Sequence, residues 1–319
     1  MADDHAIVNN SNLPLGNAII RSSVYCLLFI TGFFGNLIFL VIFAKCPYMR
    51  IPINYFLVNL AIVDITATIF RELALIIGYF NCQWLYNYHT CNLFGFMRNI
   101  CCAVTIFTLL AISVCRYLVI CQHKGRRMTR HAVLCIIAFV WFYTILVCLC
   151  PIFGWNRYIY HQNQYVCSID WSYQPSYIRY IIIVDVFLPT IITIICYTFI
   201  YIVVHRHSRR IQDILRMSGS LSSAQYNRIA REKKVTKIMF AVYINFLICY
   251  LPFSIITAIL IPSGIKPPAE LFFVGTFMID LNSSINPMLY PFIYRRCKEA
   301  YCEVLCCHRS QTSPTSNCY

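Results

Sequence analysis

Charge is what this chain has least of. Of 319 residues only 12% are Asp, Glu, Lys or Arg, against 59% hydrophobic residues and a mean hydropathy of +0.64. A soluble domain of ordinary composition carries about 25% charged residues to cover its surface, so a soluble globular fold is excluded. Also missing are an internal repeat of the transporter kind and a low-complexity segment beyond a short Ser/Thr-rich tail. No His/Glu metal spacing and no nucleophile paired with a base is present, which leaves an enzyme without chemistry. A transporter or channel would need a continuous polar path or broken-helix repeats, and neither can be traced. No cleavable leader is expected, because the first 18 residues are polar and the first apolar run is too long for a signal core.

In place of charge there are seven mostly apolar stretches, each long enough to cross a hydrocarbon core of about 30 Å as a helix. They fall near 19–44, 53–79, 91–121, 131–153, 177–204, 233–262 and 268–294. Lipid offers a peptide group no hydrogen-bond partner, so each must be helical. The expected fold is an all-α membrane protein: a tail over 1–18, a seven-helix bundle over 19–294, a short amphipathic eighth helix over 295–307 and a second tail over 308–319. Basic residues orient it. Lys45 and Arg50 follow span 1, Lys124, Arg126, Arg127 and Arg130 separate spans 3 and 4, and Arg206, Arg209, Arg210, Arg216, Arg228 and Arg231 separate spans 5 and 6. Arg295, Arg296, Lys298 and Arg309 follow span 7, whereas the opposite side has chiefly Arg21, Arg157 and Lys266. The positive-inside rule then puts the N-terminus outside and the C-terminus in the cytoplasm of a plasma-membrane protein. The net charge of +14 follows from this asymmetry and is not a nucleic-acid signature, since it sits in short loops beside spans.

Nineteen cysteines would imply a disulfide scaffold in a small secreted chain, but most lie within the spans, where a thiol is a small apolar group. Cys91 at the start of span 3 and Cys167 in the second outer loop lie on the oxidising side, as does Cys82, free or a competing partner. Asn9 opens the sequon Asn9-Asn10-Ser11 in the outer tail and is expected to be glycosylated. Asn282-Ser283-Ser284 has the same pattern inside span 7, beyond reach of that machinery.

The motifs, in order, resemble the rhodopsin-like (class A) G-protein-coupled receptors. They are Gly35-Asn36 in span 1, Asn59-Leu60-Ala61 with Asp64 in span 2, Arg116-Tyr117 ending span 3 and Trp141 in span 4. Pro189 with Tyr197, Cys249-Tyr250-Leu251-Pro252, and Asn286-Pro287 with Tyr290 complete the series through spans 5, 6 and 7. A narrower resemblance is to opsins. Gly154-Trp155-Asn156-Arg157-Tyr158 followed by Cys167-Ser168-Ile169-Asp170-Trp171 looks like the hairpin that closes the retinal pocket, with Arg157 and Asp170 as its ion pair. The resemblance also implies a Cys91–Cys167 disulfide and palmitoylation of Cys306 and Cys307. Opsins carry a retinal-binding lysine where this chain has Asp280, and a carboxylate forms no Schiff base. Phe94 and His161 stand where opsins place counterion acids. The chain is therefore similar to placopsins, opsin-like receptors without that lysine, and no covalent retinal is expected; a sensor that binds retinal non-covalently is the alternative.

Residue roles follow from the resemblance. Asp64, Asn36, Thr105, Ser283 and Asn286 form a mid-membrane polar cluster, either holding a sodium ion or acting as a hydrogen-bonded packing knot. Nearer the outside lie Arg71, Glu72, Arg98, Asp185 and Asp280, charges that are costly within a span and so point to function. An Arg98–Asp280 bridge is expected between spans 3 and 7, with a ligand charge as the competing partner. Asn99, Cys102, Phe253, Ser254 and Thr257 complete the pocket for a small-molecule ligand, unless they are ordinary packing, and Tyr250 takes the place of the usual switching tryptophan. At the inner end, Arg116 with Glu232, Tyr197 and Tyr290 is the expected two-state element for a heterotrimeric G protein. Cys115 stands where the family has an acid, which predicts raised basal signalling. Ser310, Thr312, Ser313, Thr315 and Ser316 suit a receptor kinase and arrestin, or form a plain solvated tail.

Overall fold

Seven helices pack side by side among the described residues, each bounded by a recognisable stop. The structure, a computed structural model, describes residues 14–81, 87–122, 128–162, 164–218, 223–261, 263–265, 267–293, 299 and 301–302. Helix α1, Leu15–Lys45, has Lys45 in its last turn, where the dipole favours a cation, and ends before Pro47. Helix α2 comprises Asn54–Ala67, a π-turn at Thr68–Glu72 and Leu73–Asn81. Helix α3, Tyr88–Cys121, is capped by Asn87, whose Oδ1 accepts from Thr90 N at 2.9 Å. Helix α4, Arg130–Leu149, is capped by Thr129 and stops two residues before Pro151. Helix α5 comprises Pro175–Tyr180, a π-turn at Ile181–Phe187 and Leu188–Ser218, with Pro175 in the first turn where its missing N–H costs nothing. Helix α6 is Ser223–Ile255 with a π-turn at Ile256–Leu260, and α7 is Ala269–Ile293 with Pro287 and Pro291 inside it.

Five of these helices are long and apolar enough to cross a membrane by length and composition: Leu15–Lys45, Tyr88–Cys121, Arg130–Leu149, Pro175–Arg206 and Met239–Leu260. Their outer faces remain apolar, with Phe34, Phe139, Phe187 and Ile191 all at least half exposed, as a lipid-facing surface requires. Helices α5 and α6 continue well past the expected limits of 204 and 233, to Ser218 and back to Ser223. A helix carries its own hydrogen bonds and has no reason to stop where hydrocarbon ends. The expected eighth helix at 295–307 lies largely outside the described residues, although Tyr301 Oη donates to Pro287 O at 3.3 Å. The sequon at Asn9, Cys82, Cys306, Cys307 and the tail also lie outside them, and of Glu232 only the backbone is described.

The inner half of the bundle holds the main apolar core, with Phe39, Phe56, Ile112, Tyr197 and Tyr290 nearly fully buried. Polar ties fix helix to helix: Trp141 Nε1 donates to Asn59 Oδ1 at 2.9 Å, and Asn59 Nδ2 to Thr108 Oγ1 at 2.9 Å, joining α4, α2 and α3. Gly35 lets α1 meet α7, since a Cβ there would stand 2.8 Å from Pro287 Cγ. Such small-residue contacts let membrane helices approach closely where lipid supplies no hydrophobic drive between them.

Candidate functional site

A covalently pinned lid closes one end of the bundle. Strands β1, Tyr158–His161, and β2, Val166–Ile169, pair antiparallel with Tyr160 opposite Cys167. A Cys91–Cys167 disulfide, Cα–Cα 5.4 Å, ties β2 to the start of α3. The hairpin lies directly on α3 because residue 95 is glycine; a Cβ there would come within 2.6 Å of the Tyr158 ring. Arg157 reaches Asp170 with Nε at 3.0 Å and Nη2 at 2.8 Å, and Asp170 Oδ1 also accepts from Ser172 N. Arg157 is 54% exposed, so this bridge is worth about 1 kcal/mol or less.

His161 sits in the lid with Nε2 3.1 Å from Ile169 O. Burial first, and then the Arg98 charge, hold its pKa below the ordinary 6.5 despite that carbonyl. The unfolded chain therefore binds more protons below about 6.5, and the lid's stability, full above that pH, declines as pH falls toward the folded value. Thermal melts should show acid destabilisation in the wild type that is reduced in His161→Gln. Equal pH slopes in the two proteins would remove the effect from this residue.

Beneath the lid is a cavity of about 560 Å³, within the size range of small-molecule sites. Helix α3 contributes Arg98, Asn99 and Cys102; α5 contributes Asp185; α6 contributes Tyr250, Phe253, Ser254 and Thr257. All the pocket candidates from the sequence except Glu72 and Asp280 thus line this cavity, Arg71 joining them from α2. Asp185 Oδ1 accepts the Tyr143 hydroxyl at 2.7 Å, and Thr257 Oγ1 donates to Phe253 O at 3.0 Å. Trp171 of the lid packs edge-on to Phe253, with ring centroids 6.1 Å apart. Trp171 and Tyr143 were not among the sequence candidates. The adjacency of Trp171 to Asp170 was a usable signal, whereas nothing in the local pattern marks Tyr143.

The expected Arg98–Asp280 bridge does not form. Asp280, fully buried in α7, pairs with Arg71 of α2, itself 3% exposed. The Tyr25 phenol of α1 borders the same carboxylate. The physical reason lies in α2: Arg71 stands seven residues, about two helical turns, above Asp64 and so shares its inward stripe. The wider π-turn at Thr68–Glu72 reduces the angle between successive residues, and Arg71 and Glu72 are both buried there. Arg98 instead lies with its guanidinium carbon 5.9 Å from the Phe253 ring centroid.

Lower in the bundle, Asn286 Nδ2 donates to Asp64 Oδ2 at 2.9 Å, and the Ser283 hydroxyl also turns to Asp64. Asn36 Nδ2 donates to Ser283 O at 3.0 Å and to Gly32 O at 2.8 Å. Thr105 spends its hydroxyl proton on Cys101 O at 2.9 Å. The Oδ1 atoms of Asn36 and Asn286 are buried without hydrogen-bond partners, so uncommitted oxygens surround a carboxylate. That donor set suits a hard cation such as sodium. Asn245 Nδ2 on Asn282 Oδ1 at 2.9 Å adds an α6–α7 tie that the sequence reading missed.

On the side of the cavity away from the lid, Tyr250 packs at a tilt on Phe246 with centroids 4.2 Å apart, and Tyr197 packs on Tyr243 and Phe240. Arg116 is buried, with the Tyr197 phenol in electrostatic reach, and Cys115 beside it is buried as well. Tyr117 packs on Phe199, and Tyr290 on Phe39.

A bundle of seven helices with a pinned hairpin over a central cavity defines a class, and the comparisons name it. The chain belongs to the 7 transmembrane receptor (rhodopsin family), whose model matches residues 35–290; this is a family of membrane receptors, not enzymes. It is similar to the GQ-coupled rhodopsin of Mizuhopecten yessoensis, 31% identical over 84% of this chain, and spans 56% of that relative's length. It is also 28% identical to the melanopsin of Podarcis siculus, over 87% of this chain and 60% of that protein. The alpha-1A adrenergic receptor of Mus musculus is 27% identical over 95% of this chain and 72% of its own. The crystal structure of squid rhodopsin shares the fold, with a TM-score of 0.79 over 96% of this chain and 86% of that one, at 23% identity.

Proposed function

We propose that this protein is a plasma-membrane receptor that couples a small ligand in the cavity beneath the hairpin to a heterotrimeric G protein. Its N-terminus would lie outside and its C-terminus in the cytoplasm, as the basic inner loops favour. The observation that carries the reading is the cavity of about 560 Å³, whose wall at Tyr250 packs through Phe246 into the aromatic core around Tyr197, beside buried Arg116. A ligand that pushes Tyr250 acts on a stack leading to the G-protein end, a two-state element of the kind a bound molecule biases. Asp64, Asn36, Ser283 and Asn286 would hold a sodium ion in the resting form. A covalent retinal has no amine at Asp280 to attach to, so retinal would bind here only without a Schiff base. The GQ-coupled rhodopsin of Mizuhopecten yessoensis makes Gq the first heterotrimer to assay. Arrestin and a receptor kinase are the expected partners of the Ser/Thr tail.

The test is nucleotide exchange by a panel of heterotrimers with the purified full chain in lipid nanodiscs. Exchange above background is expected without ligand, because Cys115 offers Arg116 no acidic neighbour. Arg116→Ala should abolish it and Cys115→Asp should lower it severalfold. No exchange with any heterotrimer would overturn the receptor reading, and an unchanged basal rate in Cys115→Asp would overturn the account of that rate.

A further inference from the structure

Three charged side chains line the cavity, and one of them, Arg98, forms no salt bridge among the described residues; Asp280, already bridged to Arg71, acts on it only from farther off. Arg71 is matched by Asp280. Asp185 takes the Tyr143 hydroxyl. Arg98 is 92% buried, given its 8% exposure, with Nη1 enclosed and without a hydrogen-bond partner; no carboxylate among the described residues stands within salt-bridge distance. A guanidinium left this way in a buried site is costly, and an anion that reaches it gains a charge-assisted, two-pronged contact.

The remainder of the cavity is almost wholly apolar. On one side its wall is made by Phe187, Ile248, Leu251, Ile255 and Ile259 of α5 and α6. Those five side chains are also 41–59% exposed, so the cavity is open there, in the plane where lipid tails lie. Water-soluble ligands have no advantage at such an opening, whereas a molecule dissolved in the membrane enters it directly.

Taking the cavity as the ligand site of the receptor, we propose that its ligand is a membrane-partitioned monocarboxylate, a long apolar chain or polyene ending in one carboxylate that pairs with Arg98. Asn99, one residue on and lining the same cavity, stands beside the head group. A phosphate monoester fits less well, because it brings up to two charges and Arg71 is already taken. Two sources share the proposed chemistry, a free fatty acid and a retinoid acid.

The experiment uses the full chain in nanodiscs with oleic acid, all-trans retinoic acid, the methyl ester of each, and oleylamine, read as thermal shift of the receptor. One or both acids should stabilise it while the esters and the amine do not, and which acid does so identifies the source. Arg98→Gln should weaken the apparent affinity for that acid roughly ten- to hundredfold, the size expected for losing a charge-assisted hydrogen bond, and Arg98→Lys should restore part of it. Acids and esters acting alike, no shift with either acid, or Arg98→Gln retaining full affinity would each overturn the proposal. Should Arg98→Gln fail to fold, the acid–ester contrast in wild type still decides it. Nucleotide exchange on the same samples separates the two readings: exchange with no acid-specific shift removes the ligand class alone, and an acid-specific shift without exchange removes G-protein coupling alone.

Discussion

Asp280→Asn is expected to be the most damaging single substitution in the upper bundle, at a cost of about 3–5 kcal/mol, the usual penalty for stranding one member of a buried pair. It leaves the buried Arg71 and Arg98 acting on each other, with Glu72 nearby to offset them in part. Arg71→Gln should cost less, because Arg98 is close enough to act on Asp280 and would move to it once Arg71 is gone. The double variant Arg71→Gln/Asp280→Asn removes both charges and should recover a large part of the loss, giving a coupling energy of at least about 1 kcal/mol in a double-mutant cycle. Thermal stability of the detergent-solubilised receptor measures all four proteins. Additive single effects would sink the pair as an energetic unit, and equal losses in the two single variants would sink the role given to Arg98.

That ordering was only half legible in the sequence. Hydropathy placed seven helices because lipid enforces length and apolarity together, and the basic loops marked one side because charge is so scarce elsewhere. The hairpin pair Arg157–Asp170 and the Cys91–Cys167 pairing came from resemblance, and both contacts are present. The partner of Asp280 was missed because resemblance supplied a position, span 3, without testing the helical spacing of this chain. Arg71 lies two turns above Asp64, and that count alone pointed inward. What spacing does not reveal is the π-turn at Thr68–Glu72, which carries no distinctive residue and lies against α1 and α7. Thr68 Oγ1 and Ser284 Oγ crowd Gly32 of α1 at this level, a packing arrangement that no local pattern encodes. Polar ties such as Asn245–Asn282 and Tyr143–Asp185 are hidden for the same reason: each joins residues that are far apart in the chain, and even where one member is a conspicuous charge its partner is not.

Removing the lid's disulfide in Cys91→Ser/Cys167→Ser should lower stability by about 4 kcal/mol on the chain-entropy estimate, because it frees a loop closed across a separation of 76 residues. The double variant avoids a leftover thiol that would mispair. Arg157→Ala acts on the same hairpin but removes an exposed bridge, and should cost about 1 kcal/mol or less. The contrast separates two ways of holding a lid. A covalent tie restricts the unfolded chain as well as the native one, whereas a solvated ion pair only shifts the open–closed balance slightly. Loss of the disulfide should also abolish the acid-specific thermal shift, since Ser168, Ile169 and Trp171 of the lid form the cavity's roof. Arg157→Ala should leave that shift within a few-fold of wild type. If Arg157→Ala proves as harmful as the cysteine pair, the hairpin is held by its ion pair and by the stacking of Arg157 on Tyr173, 4.3 Å from that ring's centroid, and the disulfide is secondary.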